Sequence, residues 1–94
     1  MARSGQITVT TAGTEQRGPT TEKGKIFLIA PHPGNTGAYI WLGNDEAASP
    51  GVTSNNGFPV LAGQAVEIQV ADNLGELWFD AQTNGDKVCW LKVR

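Results

Sequence analysis

The chain is poor in the residues that usually do chemistry: it has one cysteine, one histidine, one methionine and one tyrosine in 94 residues. A lone Cys89 excludes an internal disulfide and a zinc site built on paired cysteines. It lies between Val88 and Trp90 in a strand-like run, where a structural thiol is the ordinary outcome. His32 sits between Pro31 and Pro33 with no carboxylate beside it in sequence. A triad or histidine-metal site would need partners from elsewhere in the fold, so His32 reads as an exposed loop residue. No apolar run is long enough to cross a bilayer, and Met1 to Gly5 lacks the apolar core of a secretory signal. These absences predict a chain made in a cytoplasm with no membrane partner. Charge is scarce as well, with seven Lys and Arg against nine Asp and Glu and a net charge of -2. The basic residues are scattered from Arg3 to Arg94 and form no stripe, so no nucleic-acid partner is expected.

Catalytic patterns are missing in the same way. Ser4, Ser49 and Ser54 lie in no nucleophile-elbow context, and the glycines form no phosphate-binding loop. Asp72, Asp80 and Asp86 lie around the last predicted hairpin, with Asn73 and Asn84 close by. They lack the short fixed spacing of a calcium loop, which leaves turn-capping and solvation as their expected roles. A pair of glycosidase carboxylates needs a cleft that a domain of this size rarely forms. The expectation is therefore a non-enzyme, with no catalytic residue, no metal and no cofactor.

Glycine and proline are what the chain has in quantity: twelve Gly and five Pro divide it into short runs rich in Val, Ile, Thr and aromatics. That spacing predicts an all-β fold, a small β-sandwich or jelly-roll-like barrel of about six to eight short antiparallel strands. One β domain is expected over residues 6–94, preceded by a flexible N-terminal arm, residues 1–5. Gln6 to Ala12 alternates, with Ile7 and Val9 on one face. Residues 13–24 read as loop or irregular edge. Lys25 to Ala30 is a strand stopped by Pro31 and Pro33, and Ala38 to Gly43 is the next. Asn44 to Gly57 is the longest irregular stretch, with a short helical turn possible at Asp45 to Ala48. Pro59 places Phe58 to Leu61 at an edge or corner. Gln64 to Ala71 alternates again, with Val66, Ile68 and Val70 on the dry face. Asn84-Gly85 predicts a type I′ hairpin joining Leu77–Ala81 to Val88–Lys92, with Ala81 opposite Val88, Phe79 opposite Trp90 and Leu77 opposite Lys92.

Three segments are apolar on both faces: Ile26 to Ala30, Tyr39 to Leu42, and the final pair, Leu77 to Phe79 with Val88 to Leu91. Such strands call for cover on both sides, and one modest core does not supply it. The surplus predicts a homo-oligomer or a larger assembly. Tyr39, Trp41, Trp78 and Trp90 are the candidate interface or ligand-facing residues. Aromatics of this kind anchor subunit interfaces, fill cores, or stack on sugar rings as in a carbohydrate- or receptor-binding module.

The order of segments resembles a group of small β-rich virion proteins of tailed bacteriophages. The resemblance rests on Gln6 to Thr14, on Ala30 to Gly43 with its Asn35-Thr36-Gly37, on Ser54 to Val66, and on Leu77 to Ala81 followed by Thr83-Asn84-Gly85-Asp86. The Glu15 to Lys25 region and the Pro31-His32-Pro33 turn depart from it. The resemblance implies a capsid decoration or cement protein on the exterior of a virion, with the major capsid protein as partner. A trimer is the expected oligomer, and no catalytic or metal-binding residue carries over. The alternative is the carbohydrate- or receptor-binding β-sandwich module.

Overall fold

A computed structural model describes residues 3–43, 52 and 57–94. Among the described residues eight strands run in order: β1 Ser4–Thr8, β2 Gln16–Arg17, β3 Ile26–Pro31, β4 Tyr39–Gly43, β5 Phe58–Leu61, β6 Val66–Gln69, β7 Trp78–Ala81 and β8 Lys87–Lys92. They form two four-stranded sheets, one ordered β1-β8-β3-β6 and the other β2-β7-β4-β5, with every pair antiparallel. The first strand pairs with the last, the second with the seventh, the third with the sixth and the fourth with the fifth. That nesting is the winding of a jelly roll. Within the described residues the only helix is a single 3-10 turn, Leu74–Glu76.

The core lies between the sheets and is built by alternation. Ile7, Phe27, Ile29, Val88 and Trp90 point inward from the first sheet, and Ile40, Leu42, Val60, Phe79 and Ala81 from the second. β3 shows the pattern most plainly, with Phe27, Ile29 and Pro31 buried and Ile26, Leu28 and Ala30 half-buried. One face of this strand is thus sealed within the chain and the other is not, although the sequence asks for cover on both.

The last two strands differ from the sequence expectation. β7 and β8 do not pair: β7 lies between β2 and β4, and β8 between β1 and β3. Asn84-Gly85 therefore carries the chain from one sheet to the other. Gly85 has φ +83° and, among the described residues, no non-glycine residue has positive φ, whereas a type I′ turn needs positive φ at both central positions. Positive φ at the second position alone, with the Asp86 N–H on the Thr83 carbonyl at 3.2 Å, is the type II pattern. Such a turn splays its flanking strands, which suits a crossing between sheets. Ala81, Phe79 and Leu77 still share the core with Val88 and Trp90, but they meet across the sandwich.

The chain start differs as well. Ser4 and Gly5, expected in a flexible arm, belong to β1 and pair with Leu91 and Trp90. A Cβ on Gly5 would lie 2.7 Å from the Trp90 ring, so glycine here lets the strand cross the indole. The possible helical turn at residues 45–48 lies outside the described residues.

Glu76 closes the turn before β7. Its carboxylate accepts N–H groups from Ala71 at 2.8 Å, Asp72 at 2.6 Å and Asn73 at 3.1 Å. These bonds, that from Ala71 foremost, hold its carboxyl below the ordinary value of 4.5 against the opposing cost of desolvation. A carboxyl lowered in the folded state adds stability above its unfolded value and loses it as pH falls through the folded one. Thermal melts at decreasing pH should show stability falling below pH 4.5. Glu76→Gln should be less stable at neutral pH and lose less on acidification. An unchanged acid limb in that variant would remove Glu76 as a contributor.

Candidate functional site

Alternation along β4 sends Ile40 and Leu42 inward and Tyr39 and Trp41 outward. Their rings lie 6.1 Å apart with planes 19° from parallel. Across the ladder Tyr39 faces Leu61 and Trp41 faces Pro59 on β5, while Trp41 faces Asp80 on β7. Tyr39 and Leu61 are 39% and 38% exposed. This corner of the second sheet is an aromatic and aliphatic surface open to solvent.

Trp78 shares that outer face, opposite Gly43 and Arg17, but it is less available. The Arg17 guanidinium lies 5.5 Å from its ring centroid, a cation-π distance, while the Arg17 Nε donates to the Gly75 carbonyl at 2.7 Å. The indole nitrogen of Trp78 is buried without a hydrogen-bond partner among the described residues. Trp90 does not join the group. It is 6% exposed and meets Phe27 edge-on at 6.0 Å and 75°, so it is a core residue and cannot face a ligand or a partner subunit. Its place in β8 is one residue out of phase with the outward Cys89 and Leu91.

The first sheet carries a second outward feature. Leu28 faces Leu91, and Ala30 faces Cys89. The Val93 N–H donates to the Ile26 carbonyl at 2.8 Å, which continues the strip by one more pair. Leu91 and Val93 are 38% and 46% exposed. On one side the strip is bordered by Ser4 and Gln6 of β1, and on the other by Glu67 and Gln69 of β6. An apolar centre with a polar border is the anatomy of an interface. Cys89 belongs to this strip, where burial pushes its thiol up; that favours the neutral thiol over the nucleophilic thiolate.

The remaining candidates do not converge. Asp72 lies at the surface 2.9 Å from Lys23. Asp80 is buried and accepts the N–H groups of Gly13 and Ala81. Asp86, also buried, accepts the N–H of Thr36 on Oδ1 at 3.0 Å and that of Gly37 on Oδ2 at 2.9 Å. His32 is half-buried, its Nδ1 accepting the Gly34 N–H at 2.9 Å. Among the described residues no three His, Cys, Asp or Glu are grouped closely enough to hold a metal ion.

Sequence reasoning did not anticipate two features. One is a fastening between loops: Asn35 exchanges two bonds with the Lys87 backbone, at 2.7 and 2.8 Å, beside the Asp86 contacts. The other is an open cleft of about 640 Å³ between the edge strands β5 and β6, lined by Phe58, Pro59, Val60, Ala65 and Val66 among others. Phe58 is 58% exposed there, and no motif distinguishes it from a core phenylalanine. Comparisons with known families, with curated proteins and with solved structures give no match.

Proposed function

We propose that this protein is a virion structural protein of the capsid decoration or cement type. As a homo-oligomer it binds the major capsid protein on the outside of the assembled head. The observation that carries the proposal is the outward strip Leu28, Ala30, Cys89 and Leu91, apolar where an isolated sandwich would be polar. The resemblance of its segment order to that of small phage virion proteins points to the same function. A protein that binds the assembled lattice and not its free subunits stabilises that lattice by mass action. Weak contacts repeated around an oligomer add through effective concentration.

The test is rebinding of the purified chain to heads of the encoding phage from which it has been stripped. Leu91→Asp places a charge in the strip while sparing the core, and occupancy should fall by about tenfold or more, equivalent to ~1.4 kcal/mol. Unchanged occupancy would sink the proposal. Carbohydrate binding is the second function, favoured by the stacked Tyr39–Trp41 pair on the opposite sheet. On a glycan array it appears as binding that Leu91→Asp leaves intact.

A further inference from the structure

A sheet edge is a template for another strand unless something blocks it. Among the described residues the two sheets have four edges: β1 and β6 in the first, β2 and β5 in the second. Three of them carry a recognisable block. β2 is two residues long, and its Arg17 is turned onto Trp78 and the Gly75 carbonyl. β5 contains Pro59, which has no N–H to give. β6 holds the carboxylate of Glu67 at its middle.

β1 carries none. Its sequence, Ser4-Gly5-Gln6-Ile7-Thr8, is uncharged, and the adjacent Arg3 guanidinium is neutralised by two 3.0 Å bonds to Glu22. The phase of its ladder fixes what the free side offers. The Lys92 N–H donates to the Arg3 carbonyl at 2.7 Å, and the Val9 N–H donates to the Asp86 carbonyl at 2.8 Å. Bonded pairs recur at every second residue of an antiparallel ladder. Arg3, Gly5, Ile7 and Val9 therefore bond toward β8, while Ser4, Gln6 and Thr8 turn their N–H and C=O groups outward. No described residue bonds those groups.

We propose that β1 is a homodimerisation edge, which pairs antiparallel with β1 of a second copy about a two-fold axis at Gln6. Gln6 then exchanges both backbone bonds with its own counterpart, and Ser4 does so with the partner's Thr8. The pairing is self-complementary, as a two-fold interface must be. Ser4, Gln6 and Thr8 place only neutral polar side chains against one another. The two first sheets become one continuous sheet, and their apolar strips lie side by side on one surface. This two-fold assembly stands in place of the trimer expected from the sequence, and it holds whatever the strips dock against.

Light scattering of the full chain over a dilution series tests it, alongside Gln6→Pro and Gln6→Lys. Neither substitution removes a bond to β8, because the Gln6 N–H points away from that strand. The first deletes an outward donor, and the second sets like charges against each other at the axis. The wild type should have the mass of two chains, and each variant should raise the dissociation constant by about tenfold or more. Circular dichroism melts confirm folding, and Gln6→Lys carries the test if Gln6→Pro does not fold. A wild-type mass other than a dimer's, or a dimer indifferent to Gln6→Lys, overturns the proposal. Head binding is scored separately with Leu91→Asp, so a failed dimer leaves the decoration function standing.

Discussion

Asp86→Ala should destabilise the protein by ~3 kcal/mol, a fall of roughly 12–24 °C in melting temperature for a domain of this size. The Asp86 carboxylate is 4% exposed and holds the Thr36 and Gly37 N–H groups, one on each oxygen. Alanine removes the side chain that satisfies both N–H groups, from a position that is itself buried. Gly37 leaves no slack for a rearrangement, since a Cβ there would lie 2.7 Å from Gln82 Cβ and 2.9 Å from Asp86 Oδ2. Asp86→Asn keeps one acceptor oxygen but points an amide donor at the other N–H, so its loss should be similar in kind and smaller. Thermal melts of the three proteins at neutral pH check the order. A melting temperature within a few degrees of wild type for Asp86→Ala would show that the loops stay joined through Asn35 alone.

Phe27→Ala should cost ~4 kcal/mol, or roughly 16–32 °C, as a fully enclosed aromatic side chain replaced by a cavity. Phe27 is 0% exposed and supports Trp90 edge-on, so its removal also loosens the largest ring in the core. The neighbouring Leu28→Ala makes the comparison sharp, because that side chain points out of the same strand toward Leu91. Its loss should be under about 1 kcal/mol for the isolated chain, given the partial burial. Equal losses at the two positions would mean that the outer strip is already covered in solution.

The class of fold and most strand positions were legible because local chemistry determines them. Glycine and proline end the runs, and the alternation Val66-Glu67-Ile68-Gln69 is enough to orient β6. Pro59 correctly assigned β5 to an edge. Pairing was not legible from the same signals. Strands apolar on both faces satisfy many registers equally well, so Asn84-Gly85 looked like a hairpin when its strands part into different sheets. Phase within β8 decided the fate of Trp90, and β8 takes its phase from β1 and β3, far away in sequence. Asp86 reads from sequence as a turn-capping, solvated residue; it does cap backbone N–H groups, but it is buried, because those groups belong to Thr36 and Gly37 on another connection. The platform of Tyr39 and Trp41 could be anticipated as a group, but the separation of Trp78 by Arg17 could not.

The nesting of first strand with last sets a schedule for biosynthesis. β8 is made after every other strand, yet it is the inner neighbour of both β1 and β3. While the ribosome is still translating it, β1 has no partner and the core lacks Val88 and Trp90. Folding must therefore await the emergence of this segment and then close the longest loop in the domain, the kind of step that slows all-β proteins to milliseconds or longer. Until then Phe27, Ile29 and the unpaired β1 are exposed together, the combination of apolar surface and open strand edge that makes unfinished sheets prone to aggregate.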